Sequence, residues 1–156
     1  YKPMKSTVLI IGYVFPEPNS SAAGTRMLQL IDFFTPNETE TEFYLNKKIE
    51  SDQDIKDAGN EFLDKGVKNI IITLGSKGVY FANSNESYFI DALKLKSDVV
   101  DTTGAGDAFN GALSVALSKE YSYKDALVFA NKVGGISTTK VGAANAMPTI
   151  KEVESY

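Results

Sequence analysis

Short unbroken apolar runs alternate with stretches in which apolar residues recur every three or four positions, which predicts strands interleaved with helices. Residues 7–12 read as a short buried strand rich in β-branched side chains. Residues 13–25, with Pro16, Pro18, Asn19 and Gly24, read as a loop. Residues 26–33 read as a helix with Met27, Leu30 and Ile31 at helical spacing. Pro36 breaks the chain, and Asn37 is placed to cap a helix carrying Glu38 and Glu40 in its first turn. Ser51 and Asp54 have capping-box spacing ahead of an apolar stripe of Ile55, Ala58, Phe62 and Leu63, which Gly66 terminates. Residues 67–74, centred on Ile70, Ile71 and Ile72, give the clearest strand signal. A turn at 75–78 and strands near 79–82 and 87–95 follow. Helices are expected over 105–119, with Ala108, Phe109, Ala112, Leu113, Ala116 and Leu117 on one face, over 123–133, and beyond Pro148. The alternation predicts an α/β fold: a mostly parallel sheet with flanking helices.

Composition narrows the chemistry more than the fold. The chain has 156 residues, the size of one domain, and 43% of them are hydrophobic. A net charge of −4 disfavours nucleic acid or an anionic membrane as partner, because those surfaces need clustered Lys and Arg. Cys and His are both missing from the sequence, so a general base must come from Asp, Glu, Lys or Tyr. Lys2 and Lys5 ahead of an apolar run imitate a secretory signal, but Gly12 interrupts the run, which favours the strand. A cytoplasmic protein is expected.

The sharpest chemical signal is Asp101-Thr-Thr-Gly-Ala-Gly-Asp107 followed directly by a predicted helix. Two glycines separated by one small residue leave backbone N–H groups uncovered at a positive helix end, which suits a phosphate. Asp107 falls in the first helical turn, where a carboxylate beside a phosphate cradle can take the proton of an attacking hydroxyl. A Gly-rich turn capped by an Asp produces the same pattern, and these residues alone leave both readings open.

Residues 100–111 nevertheless resemble the signature of ribokinase-like carbohydrate kinases. So do Thr35-Pro-Asn-Glu-Thr-Glu40, Ile72-Thr-Leu-Gly-Ser-Lys-Gly78, Phe129-Ala-Asn131 and Gly142-Ala-Ala-Asn-Ala-Met-Pro148, in family order. The resemblance implies an ATP-dependent transfer of phosphate to the primary hydroxyl of a small sugar, ribose or a related one. It makes Asp107 the base, and the amides of Gly104, Ala105, Gly106 and Asp107 the groups that stabilise charge on the moving phosphate. Asn37 and Glu40 match an element that places Mg²⁺ and the phosphates. Thr73, Leu74, Gly75, Ser76, Lys77 and Gly78 match the nucleotide loop, and Asn131 matches a contact to the adenine or ribose. Asp101, Thr103, Ser137, Lys140, Gly142 and Ala146 match positions that hold an activating K⁺, mainly through backbone carbonyls.

The resemblance covers residues 32–156. Residues 1–31 form an unmatched strand–loop–helix, and within them residues 13–27 are faintly similar to the opening of a nucleotide-sugar-dependent glycosyltransferase. The family's sugar-clamping half has no counterpart among those residues. Three readings follow: a sugar kinase, an incomplete half-kinase acting only as a nucleotide-binding module, and a glycosyltransferase fragment. The expected partners are a small sugar and either a second copy of the chain or a complementing chain.

Overall fold

The computed structural model describes residues 10–11 and 28–156. Strands β1 (Ile10–Ile11), β2 (Phe33–Phe34), β3 (Asn69–Thr73), β4 (Val79–Asn83) and β5 (Ser87–Ile90) form one five-stranded sheet in that order. β1 pairs parallel with β2 (Ile10 opposite Phe33), and β2 parallel with β3 (Phe34 opposite Ile70). The last two strands are joined by too few residues for a parallel crossover and form a hairpin. Its turn is set by Asn83, whose Oδ1 accepts from the N–H groups of Asn85 and Glu86, as an Asx turn requires. After a helical stretch at residues 28–30, the helices among the described residues are α1 (Glu38–Leu45), α2 (Asp52–Asp64), α3 (Ala105–Ser118), α4 (Tyr123–Ser137) and α5 (Ile150–Glu154). None of them is long and apolar enough to cross a membrane.

The chain divides into two compact units, residues 1–74 with 80–89, and residues 75–79 with 90–156. In the first unit the isoleucines of β3 are fully buried, as both faces of a parallel strand should be. Phe34, Tyr44 and Phe62 meet edge to face around them, with ring centroids 5.2–6.3 Å apart. α2 joins this core through Ile55, Ala58 and Phe62, and Ser51 and Asp54 close the expected capping box at its start. Gly66 ends the segment with φ +95°, a conformation that favours glycine. In the second unit α3 and α4 pack on each other, and Ala108, Phe109 and Leu113 of α3 and Ala126, Leu127 and Ala130 of α4 are buried.

Four elements differ from the sequence expectation in where they begin or end. Helical structure is present at residues 28–30, but Phe33 and Phe34 are strand residues, so the expected helix over 26–33 stops early. Leu30 is 71% exposed while Ile31 is fully buried, so the spacing read as a helical stripe does not define one buried face. The strand expected over 87–95 ends at Ile90, because the carbonyl of Asp91 accepts from the Asn131 side chain at 2.8 Å instead of continuing a ladder. The strand expected over 67–74 starts only at Asn69, since Val67 N–H closes the α2 terminus on Phe62 O, and it ends at Thr73. α4 runs past Val133 to Ser137, through Gly134 and Gly135. A Cβ on Gly134 would lie 3.3 Å from the Ala105 carbonyl and 3.4 Å from the Phe109 Cβ, so this glycine serves close helix packing and does not stop the helix. The loop expected over 13–25 lies outside the described residues, as do all but two residues of the first expected strand.

Candidate active site

In the second unit the loop 101–104 leads directly into the first turn of α3. Gly104 is the N-cap of α3 and adopts φ +76°, ψ 4°, in the left-handed region where glycine is favoured. It has no side chain to cap the helix, so the first-turn amides, including those of Gly106 and Asp107, have no side-chain acceptor. The helix end therefore keeps its positive character for a bound anion. Asp107 sits in this first turn with an exposed side chain. Gly106 needs no special backbone geometry, and the space where its Cβ would go is open.

Asp101 holds this loop in shape. One carboxylate oxygen accepts from the Thr103 N–H at 2.9 Å and the other from the Gly142 N–H at 2.8 Å. The N–H groups of Val100 and Asp101 both donate to the Thr138 carbonyl, at 2.8 and 3.1 Å. The loop is thus tied to the end of α4 and to the segment around Gly142. Hydrogen bonds from Thr103 and from the Gly142 amide hold the Asp101 carboxyl down at about 2, against an ordinary 3.8. Glu152 is likewise held at about 2, against 4.5, first by Lys140 at 2.5 Å and then by Thr149. Both folded values lie below the unfolded ones, so their contribution is complete above about pH 4.5 and is lost as pH falls towards 2. Acid titration followed by amide NMR should show the Thr103 and Gly142 N–H signals losing hydrogen-exchange protection across that interval, and Asp101→Asn should remove the transition.

The residues matched to a K⁺ site gather at the same end of the unit. Ser137 is buried and its hydroxyl donates to the Gly134 carbonyl at 2.7 Å. Gly142 has φ +90°, and Ala146 is fully buried in a short 3₁₀ turn, Ala144–Ala146. Lys140 gives its ammonium to Glu152, which leaves its carbonyl as the group suited to a cation. Both oxygens of Asp101 are engaged by amides, so a cation here would rely on carbonyl oxygens. That donor chemistry fits a weakly hydrated monovalent ion.

Gly75, Ser76 and Lys77 form a 3₁₀ turn, closed by Gly78 N–H donating to Gly75 O at 3.1 Å. Gly78 has φ +103°, and a Cβ there would lie 2.0 Å from the Ile90 carbonyl. This turn therefore presses on the segment at 90–92, the same segment that Asn131 reaches from α4 through its bond to Asp91. Sequence reasoning gave Asn131 a nucleotide contact and did not foresee this bond. The structure brings the 75–78 turn and Asn131 to one stretch of backbone.

In the first unit, Asn37 and Thr73 are neighbours through a parallel bridge, and the Thr73 N–H donates to the Pro36 carbonyl at 2.9 Å. Asn37 and Glu40 close a reciprocal capping box, each side chain accepting from the other's N–H at 2.8 Å. The cap fixes the Glu40 carboxylate at the start of α1. Among the described residues no three acidic, His or Cys side chains cluster as a metal site. A single fixed carboxylate still fits Mg²⁺, which keeps several waters and takes further ligands from phosphates. Thr73 and Leu74 belong to the first unit and Gly75–Gly78 to the second.

One feature of the second unit had no counterpart in the sequence reading. Asp107 stands at the edge of a groove of about 250 Å³ bordered by Gly111, Val115, Phe129, Met147 and Ile150. Gly111 in mid-helix, with exposed Val115 one turn on, was the available signal.

The family model of the pfkB family carbohydrate kinases matches residues 6–150, a span that includes most of the 1–31 segment. Ribokinase of Staphylococcus aureus (strain COL) is 41% identical over 139 residues, covering 88% of this chain and 45% of that protein. The structure of Arabidopsis thaliana ribokinase complexed with ribose and ATP superposes with a TM-score of 0.82 at 31% identity, covering 95% of this chain and 46% of that one. An Escherichia coli protein solved with ATP and Mg²⁺ superposes with a TM-score of 0.71 at 28% identity, covering 85% and 41%. The chain spans less than half the length of these relatives.

Proposed function

Because the chain belongs to the pfkB family of carbohydrate kinases, we propose that it carries the phosphate-handling part of an ATP-dependent kinase acting on ribose or a closely related sugar. The observation that carries this reading is the uncapped N-terminus of α3, with Asp107 in its first turn and Asp101 bracing the loop before it. In the reaction, the sugar's primary hydroxyl oxygen bonds to the γ-phosphorus of ATP, the bond to the β-phosphate oxygen breaks, and ADP leaves. Asp107 accepts the hydroxyl proton, and the amides from Gly104 to Asp107 donate to the oxygens of the moving phosphate. Bound Mg²⁺ would neutralise phosphate charge, with Glu40 and Asn37 placing its waters. The turn from Thr73 to Gly78 and Asn131 are assigned to the nucleotide, and the carbonyls of Thr103, Ser137, Lys140, Gly142 and Ala146, with Asp101, to K⁺. These site residues all lie in 32–156, which we take as the kinase portion. Its place of action is the cytoplasm.

The span of the chain, 45% of its S. aureus relative, favours a second reading for the 156-residue polypeptide: a nucleotide-binding module that does not transfer phosphate unaided. A coupled assay of ADP release, with and without ribose, separates the two. Calorimetric titration with ADP and Mg²⁺ tests what both share. Saturable ADP binding without ribose-dependent turnover is the result expected for this chain alone. No ADP binding by a folded chain would overturn both readings.

A further inference from the structure

Between α4 and α5 the chain passes beside the loop that precedes α3 and touches it twice. Gly142 N–H donates to one oxygen of the Asp101 carboxylate at 2.8 Å, and the other oxygen accepts from Thr103 N–H at 2.9 Å. Ala143 lies against Gly104, where a Cβ would stand 2.8 Å from the Ala143 Cβ. The placement of residues 142–143 therefore bears on the first amides of α3. Packing explains little of how those two residues are held. Val141 is 73% exposed, a Cβ on Gly142 would meet nothing within 4 Å, and the chain is next fully buried at Ala146.

Lys140 supplies a tie of another kind. Its N–H closes the end of α4 on the Ser137 carbonyl at 3.3 Å, and its ammonium reaches Glu152, 12 residues on, at 2.5 Å. Glu152 is itself fixed. Its second oxygen accepts from the Thr149 N–H at 2.7 Å and from the Thr149 hydroxyl at 2.9 Å, within the capping box that opens α5. α5 packs on α4 and buries Val153, so the carboxylate is mounted on a supported element. An ion pair whose side chains are 37% and 40% exposed adds little to global stability. Its effect falls instead on the short stretch from Lys140 to Gly142. We propose that Glu152 is a positioning residue for the phosphate site: through Lys140 it holds residues 140–143 so that Gly142 N–H reaches Asp101 and Ala143 stays against Gly104. Glu152 touches neither sugar nor phosphate in this role. The proposal rests on the kinase reading and adds to the same site a residue that acts on it from the last helix.

The test uses the 156-residue chain, followed by amide NMR, calorimetry with ADP and Mg²⁺, and thermal melting. Glu152→Gln keeps the cap, since Gln serves at that place in a capping box, and removes the charge that holds Lys140. Lys140→Met keeps the apolar stem and removes the ammonium. In each variant the hydrogen-exchange protection of Gly142 N–H should fall about tenfold and ADP affinity several-fold, with Tm lowered by only about 2 °C. The double variant should lose no more than either single one, because both break the same link. Thr149→Ala removes the cap hydroxyl and leaves the ion pair, so it should lower Tm but keep the Gly142 signal. Unchanged Gly142 protection in Glu152→Gln would overturn the proposal, and so would ADP affinity that stays constant while that protection is lost. Additive losses in the double variant would do the same. Equal loss of Gly142 protection in Thr149→Ala would assign the effect to the α5 cap and overturn it too. An equal fall in protection at Ile71 of β3 would mark general destabilisation, with the same consequence. The Gly142 measurement needs no nucleotide, which keeps the two conclusions apart. Absent ADP binding by the unsubstituted chain counts against the kinase reading, while intact ADP binding with an unmoved Gly142 signal counts against Glu152 alone.

Discussion

Asp107→Asn is expected to lower ribose-dependent ADP release by about 10²–10⁴-fold in the kinase completed to the length of its relatives. The amide is nearly the same size as the carboxylate but cannot accept the hydroxyl proton at neutral pH. The side chain is exposed at the first turn of α3, so its exchange should leave the fold intact. ADP binds through backbone amides and the nucleotide turn in this reading, so its Kd should change little. The loss should therefore fall on kcat, with KM for ATP nearly constant. Turnover close to that of the unsubstituted enzyme would remove Asp107 from the role of base. A parallel loss of ADP affinity would show instead that the substitution disturbs the loop.

Gly104→Val should strike the phosphate cradle itself. At φ +76° any L-residue is strained, by about 1–2 kcal/mol for the left-handed region, and a β-branched one by more. The Cβ of any residue here would also stand 2.8 Å from the Ala143 Cβ and 3.0 Å from its Cα. The loop must move away from Ala143, and the Asp101 bonds to Thr103 and Gly142 span that same gap. Relief of either strain turns the first amides of α3 away from a common point. ADP affinity should fall at least tenfold by calorimetry, while circular dichroism keeps the helical signal of α3 and α4. Gly106→Ala is the control, because its Cβ enters open space. It should keep ADP affinity within a few-fold. Unchanged affinity in a folded Gly104→Val chain would place the phosphate elsewhere.

Much of this molecule was legible one residue at a time. Caps and breakers act within four or five residues, so Asn37 with Glu40, Ser51 with Asp54, and Gly66 announced their helix ends directly. The triple isoleucine gave the clearest strand signal, and the structure adds that all three side chains are buried, as on both faces of a covered strand. The Gly-rich stretch before α3 announced a helix start without a side-chain cap for the same local reason: the geometry of a helix start depends on the residues that form it. The helix expected over 26–33 takes in Phe33, since two residues carry no period and only the pairing of Phe33 with Ile10 and of Phe34 with Ile70 makes them strand.

The sequence by itself determined the α/β alternation, the caps, and the helix start that follows the loop from Asp101 to Gly104. Tertiary structure alone decided which glycine does what. Gly104 bears the positive φ against Ala143, Gly134 admits α3 against α4, Gly78 meets the backbone at Ile90, and Gly111 faces an open groove. It also decided that Asp101 binds the Gly142 amide and Asn131 the Asp91 carbonyl. These are contacts across 41 and 40 residues, and no local pattern encodes them, because they depend on where the packing of distant segments brings a donor and an acceptor together.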